Sequence, residues 1–146
     1  MATDPKPRVF LDTNVLYSAL HSPLGNPARI LRLYADRRVQ VVVSSQVLSE
    51  LVRSVKSKVP TRLADVRELI ESGAFETAVN PQHDAVGEAE TAGVNRDDAP
   101  IVAAALDSDV QYFVTGDRRL LTEIKNIDPP FRALSPRQFL EEISDD

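Results

Sequence analysis

Short, uninterrupted apolar runs alternate along this chain with longer stretches in which apolar residues recur at helical spacing. Val9-Phe10-Leu11 is bulky and continuous, the pattern of a strand buried on both faces. Thr13 to Leu20 carries Val15, Leu16, Ala19 and Leu20 on one side, which predicts a short amphipathic helix. His21-Ser22-Pro23-Leu24-Gly25 breaks it. Asn26-Pro27 then predicts a cap followed by a first-turn proline, opening a helix to about Asp36. Val39 to Val43 is the second strand, and Ser44 or Ser45 is placed to cap the helix after it. Val47, Leu48, Leu51, Val52 and Val55 form the apolar stripe of that helix. Pro60-Thr61 punctuates, and Leu63, Val66, Leu69 and Ile70 predict a further helix ended by Gly73.

The second half repeats the grammar. Ala74 to Val79 is a weaker third strand, and Asp84 to Ala92 a short helix. Ile101 to Leu106 is strongly helical, with Pro100 in its first turn. Tyr112 to Val114 is the fourth strand and Arg118 to about Ile124 the helix after it. Pro129-Pro130 stops the pattern, Phe131 to Leu134 is a small edge strand, and Ser135-Pro136 opens a last helix through Phe139 and Leu140. An acidic, frayed tail follows. Strands alternating with helices predict an α/β fold around a mainly parallel sheet of four to five strands, joined by right-handed crossovers.

A chain of 146 residues suits one domain over 1–146, with a core over about 8–125 and an edge strand and helix added by 126–146. There is no cysteine, which excludes disulfides and thiolate metal sites and fits a reducing cytoplasm. No apolar run approaches the roughly 20 residues that span a bilayer. Met1 to Pro7 lacks the apolar core of a signal peptide and reads as a loose lead-in.

The net charge of −5 argues against a nucleic-acid partner only until its distribution is considered. Between Arg29 and Arg67 basic residues dominate, opposed by Asp36, Glu50 and Asp65 alone, and from Glu68 to Asp98 the balance reverses. Solvated helix faces would account for this equally well.

The candidate chemistry lies in acids at comparable places. Asp12 and Asp117 end the first and fourth strands, and Glu50 falls in the early turns of the helix after the second. In a parallel sheet, strand carboxyl ends and the helix starts that follow them share one edge, so these three lie on that edge, whereas Asp98 precedes its strand and is not placed there by pattern alone. Asp97 and Asp98 open a helix, where the dipole favours carboxylates. Taken singly, Asp98 and Asp117 read as helix caps and Glu50 as a solvated helix residue. Asp12, abutting a buried strand, is the least easily explained in that way. Two unit charges 4 Å apart cost about 4 kcal/mol at an effective dielectric of 20, so a cluster needs protonation, a basic side chain or a metal ion. Oxygen-only ligands favour Mg²⁺ or Mn²⁺, and no HExxH or Cys/His grouping supports zinc. The two histidines, His21 and His83, sit beside loop prolines and read as surface residues.

Leu11-Asp12-Thr13-Asn14, Ser49-Glu50-Leu51, Asp97-Asp98-Ala99-Pro100-Ile101-Val102-Ala103-Ala104-Ala105 and Val114-Thr115-Gly116-Asp117, in this order, resemble a PIN domain from about Val9 to Ile124. The resemblance implies a three-layer α/β/α sandwich and an Mg²⁺- or Mn²⁺-dependent ribonuclease. It implies that Asp12, Glu50, Asp98 and Asp117 form the acidic quartet, with Asn14 and Thr115 as supporting polar residues and Asp97 as a substitute or supporting acid. The likeness is greatest to the VapC-like toxin components of toxin–antitoxin pairs, which implies an antitoxin protein partner and a homodimer or higher oligomer. On this reading Asp12, Asp98 and Asp117 hold the metal, and Glu50 ligates it or orients the attacking water. Arg29, Arg32, Arg53, Lys56, Arg118 and Arg119 draw in the RNA backbone. The rival is a catalytically silent PIN fold that binds RNA or protein. A haloacid dehalogenase phosphatase, which the strand-terminal Asp12 also resembles, ranks below because Asn14 stands where its second acid belongs.

Overall fold

The computed structural model describes residues 6–144. Most of the expected lead-in and the last two acids of the tail lie outside the described residues. The elements in order are β1 (Arg8–Leu11), α1 (Thr13–His21), α2 (Asn26–Ala35), β2 (Gln40–Val43), α3 (Ser45–Lys58), a 3-10 turn (Pro60–Arg62), α4 (Leu63–Glu71), β3 (Glu76–Thr77), α5 (His83–Thr91), α6 (Ala99–Leu106), β4 (Tyr112–Val114), α7 (Arg118–Asn126), β5 (Arg132–Leu134) and α8 (Pro136–Ser144). The strands form one sheet in the order β3-β2-β1-β4-β5, and every pairing is parallel. Right-handed crossovers put α1–α4 on one face and α5–α7 on the other, giving three layers. The α8 helix packs on α2 and on β5.

Apolar continuity explains the middle of the sheet. Val9, Phe10 and Leu11 are fully buried because β1 is covered on both faces and flanked by β2 and β4. Phe10 stands in register with Val42 and Phe113, and its ring stacks on Phe113 at 5.3 Å. Phe113 stacks in turn on Phe131 at 5.8 Å. At the other end of β1, Arg8 spans the sheet. Its guanidinium makes two 2.7 Å bonds to Glu76 of β3 and donates to the carbonyls of Ser108 and Asp109. That pairing holds the Glu76 carboxyl below its usual range.

Three local features differ from the pattern. The third strand is only Glu76–Thr77, although Ala78 N–H still reaches the Val43 carbonyl at 2.7 Å. The Ala74 carbonyl is taken by the Tyr34 hydroxyl, and β3 is an edge with one neighbour. Gly25, in extended conformation, is the N-cap of α2; Asn26 lies inside the first turn, its Oδ1 accepting from Arg29 at 3.4 Å. Pro60 opens a 3-10 turn rather than a plain break. Of the two candidate serines, Ser44 caps α3, its Oγ accepting from Val47 N–H at 3.2 Å. Ser135 and Gln138 form a reciprocal capping box at α8.

Phe113 lies between two stacked rings, so Phe113→Ala is expected to cost about 3–5 kcal/mol of unfolding free energy. Leu24→Ala, at a position 90% exposed, should stay within about 0.5 kcal/mol. Urea titration followed by circular dichroism measures both.

Candidate functional site

The strand order creates the site before any side chain is considered. From β1 the chain steps to β2 and β3 on one side, then returns past β1 to β4 and β5 on the other. The connections leaving β1 and β4 therefore diverge, opening a crevice at the carboxyl edge of the sheet. Asp12 directly follows β1, and Asp117 follows β4 after Thr115 and Gly116.

Asp12 is 5% exposed and fully hydrogen-bonded. Its Oδ1 accepts from Thr13 N–H at 2.8 Å, at the start of α1. Its Oδ2 accepts from the Thr115 hydroxyl at 2.8 Å and the Asn14 amide at 3.1 Å. Thr115, itself fully buried, also accepts from Asn14 and from Asp117 N–H. Asn14 Oδ1 accepts from Gly116 N–H at 2.9 Å. The amide at the position where a dehalogenase-type acid would stand is thus occupied in joining the start of α1 to the turn after β4.

The other acids approach from different elements. Glu50, on α3, accepts from the Thr13 hydroxyl at 2.8 Å and from Gln46 at 3.3 Å. Asp98 occupies the N-cap position of α6, but its side chain makes no capping bond. Its carboxylate instead accepts from Arg119 at 3.1 Å. Asp117 does cap α7, through Oδ1 to the N–H groups of Arg119 and Leu120, while its Oδ2 stands 3.8 Å from the Arg119 guanidinium. The carboxyl of Asp97 is exposed, and the residue contributes backbone: its N–H donates to Asn95 and its carbonyl accepts from Gln46 at 3.4 Å.

The electrostatics show that the acids share one field. Burial raises the Asp12 carboxyl, the Thr115 hydroxyl and Thr13 N–H oppose the rise, and Glu50 and Asp117 add to it. Asp98 is pushed up to about 6, first by burial and then by Asp12, with Arg119 pulling it back and Asp117 and Glu123 adding to the rise. Among the described residues no three acidic or histidine side chains stand together as a closed ligand set. Asp98 and Asp117 are held by Arg119 instead.

The basic candidates fall in three places. Arg53 and Lys56 are exposed on α3, one and two turns beyond Glu50. Arg118 is exposed beside Asp117, and Arg119 is engaged with the acids. Arg29 and Arg32 instead line a cavity of about 300 Å³ with Arg38 and with Leu140 and Ile143 of α8. His21 and His83 are exposed. Three site residues are not evident in the acid pattern. Glu123 binds Arg119 at 3.3 Å and accepts from Asn95 N–H at 2.8 Å. Gln46 links Glu50 to the Asp97 carbonyl, and Thr13 donates to Glu50. The spacing of Arg119 and Glu123, four apart on a helix, is a signal present in the sequence, but it is also the spacing of an ordinary surface pair.

The fold resembles several solved structures at low identity. One is the PAE2754 protein of Pyrobaculum aerophilum, with TM-score 0.66 and 18% identity over 96% of this chain and 91% of that one. Another is VapBC2 of Rickettsia felis, bound to a DNA fragment from their promoter, with TM-score 0.66 and 22% identity over 88% and 98%. A third is VapC20 of Mycobacterium tuberculosis, described as a sarcin–ricin loop cleaving toxin, with TM-score 0.54 and 18% identity over 72% and 86%. No curated protein matches the sequence. The PIN domain model matches residues 8–119, which carry Asp12, Glu50, Asp98 and Asp117. The chain belongs to the PIN-domain family.

Proposed function

We propose that this protein is a divalent-metal-dependent endoribonuclease that hydrolyses RNA phosphodiester bonds, and that it is the toxin of a toxin–antitoxin pair. The observation that carries the reading is Asp98. A residue at a helix start has given up the capping bond and turned its carboxylate toward Arg119, in the field of Asp12 and Asp117. Family membership and the toxin among its structural neighbours support the same reading. The antitoxin partner rests on likeness to the VapBC2 structure.

The donor set fits a hard cation: carboxylate oxygens without thiolate or imidazole, in a crevice that already draws in a guanidinium. Asp12, Asp98 and Asp117, with Glu50, would hold Mg²⁺ or Mn²⁺, which when bound activates water and offsets charge on the leaving oxygen. The chain's own groups set the geometry. Thr13, Asn14 and Thr115 fix the rotamer of Asp12. Thr13 and Gln46 hold the two oxygens of Glu50, leaving it aligned to orient water or take a proton. Arg53, Lys56 and Arg118 are exposed and charged on the elements that carry Glu50 and Asp117, positions suited to attracting phosphates. One observation favours the rival, a PIN fold that binds without cutting: Arg119 already neutralises part of the acidic group.

Purified protein with mixed RNA substrates decides between them. Cleavage is expected in Mn²⁺, none in EDTA, and a loss of about 100-fold or more in Asp12→Asn, which keeps the shape of the side chain but not its charge. Activity that survives both treatments removes the metal mechanism. A small adjacent reading frame encoding a DNA-binding protein would support the toxin assignment.

The acidic repulsion has a second signature that needs no RNA. The folded Asp98 carboxyl titrates near 6 and its ordinary value is 3.8. The folded state therefore binds the extra proton, and the stability this gives is full below 3.8 and lost as the pH rises through 6. With chelator present, Asp98→Asn should be more stable than the parent at pH 8, by about 1 kcal/mol after discounting for solvent. The difference should vanish at pH 3.5. Urea unfolding at several pH values measures it, and a variant less stable at pH 8 contradicts the assignment.

A further inference from the structure

Arg119 is the cation around which the metal-free site is organised. Its Nη2 lies 3.1 Å from Asp98 Oδ2 and 3.8 Å from Asp117 Oδ2, and its Nε lies 3.3 Å from Glu123 Oε2. One side chain therefore ties two of the four quartet acids to a fifth carboxylate. Among the described residues Arg119 is the only hydrogen-bond donor to the Asp98 carboxylate. The arginine side chain is 57% exposed, whereas those of Asp98 and Glu123 are 21% and 18% exposed. Asp98 and Glu123 thus lie deeper than the guanidinium that pairs with them, whose arm opens to solvent.

We propose that Arg119 is a tethered competitor for the divalent ion: its guanidinium occupies Asp98 and Asp117 in the metal-free protein and must swing away when the ion binds. The inference rests on the reading of this crevice as a metal site. A divalent ion sits about 2.0–2.2 Å from carboxylate oxygens, so it and a guanidinium bound to the same oxygens would place like charges in contact. Glu123 gives the movement a pivot. Its Oε1 is anchored by Asn95 N–H at 2.8 Å, so Oε2 can retain Arg119 Nε while the Nη end departs. The displaced guanidinium stays at the mouth of the crevice, where RNA phosphates approach. Metal and phosphate binding are then linked, and by reciprocity each favours the other.

The test uses the full chain and Mn²⁺ alone, without RNA. Mn²⁺ affinity is measured by titration calorimetry, and thermal stability is followed from EDTA to saturating Mn²⁺, for the parent, Arg119→Gln, Arg119→Lys, Arg118→Gln and Asp98→Asn. Arg119→Gln should bind Mn²⁺ about tenfold more tightly than the parent. Arg118→Gln removes the same unit charge from the adjacent position and should change affinity by less than about twofold. Arg119→Gln should melt below the parent in EDTA and together with it at saturating Mn²⁺, a convergence that a purely structural surface bond would not produce. Arg119→Lys keeps the charge and should stay near the parent in affinity, which guards against misfolding of the glutamine variant. If Asp98→Asn weakens Mn²⁺ binding while Arg119→Gln leaves it unchanged, the metal site stands and the competitor role is overturned. If Arg118→Gln gains as much as Arg119→Gln, the effect is diffuse charge and the role is again overturned. If Arg119→Gln binds Mn²⁺ and the parent does not, the competition is complete and the proposal holds. If neither binds Mn²⁺, the metal reading and this inference fall together.

Discussion

Burying a carboxylate at the end of a core strand costs several kcal/mol unless dipoles compensate it. Asp12 meets that condition through Thr13 and Asn14 of the following helix and through Thr115, which is within reach because β4 lies beside β1. The Thr115 hydroxyl is saturated: it donates to Asp12 and accepts from Asn14 and from Asp117 N–H. Gly116 N–H donates to Asn14 Oδ1, and a Cβ at this position would lie 3.3 Å from the same oxygen, a contact that asks the Asn14 side chain to give by a few tenths of an ångström. The site and the sheet are therefore one structure. Separating β1 from β4 would cost Asp12 its Thr115 donor, and removing Asp12 would leave Thr115 and Asn14 without their shared acceptor.

The charges of the crevice are offset in two distinct ways. Asp12 is met by neutral donors: the Thr13 backbone N–H, the Asn14 amide and the buried Thr115 hydroxyl. Asp98 is met by a guanidinium on an exposed arm. Dipoles hold a carboxylate in place without cancelling its charge, so Asp12 keeps raising Asp98. One half of the site is therefore compensated by dipoles and the other by an opposite charge. This is a more informative description than net charge, which at −5 says nothing about where the excess lies.

The sequence revealed what depends on continuous apolar runs and little of what depends on tertiary approach. Val9-Phe10-Leu11 and Tyr112-Phe113-Val114 were legible as strands because burial on both faces leaves no polar positions, and with them came the places of Asp12 and Asp117. The short extent of β3 was not, because an edge strand ends where its single neighbour stops, a fact held by Val43 and Tyr34 rather than by Ala74 to Val79. Gly25 and Asn26 are both acceptable caps, and the choice between them was made by the loop. Asp98 reads as a cap in one dimension, and only the direction of its side chain separates that reading from the other. The basic tract from Arg29 to Arg67 did not translate into one basic face. Arg29 and Arg32 turn to a cavity beside α8, while Arg53 and Lys56 follow Glu50 along α3. Helices alternate their faces every few residues, so a charge run in sequence rarely survives as a charge patch in space.

Glu50 shows how far the arrangement of the crevice extends. One of its oxygens is held by Thr13, which starts α1, and the other by Gln46, one turn earlier on its own helix. Gln46 also donates to the Asp97 carbonyl in the turn before α6. Segments after β1 and after β2 thus meet at one carboxylate, and Gln46 links them to the turn before α6. The bond to Gln46 uses the backbone carbonyl of Asp97, the Asp97 N–H donates to Asn95, and the residue is exposed. The next residue along this tight turn presents its side chain to the opposite side, toward Arg119. Of two adjacent aspartates, the first engages its neighbours through its backbone and the second through its carboxylate.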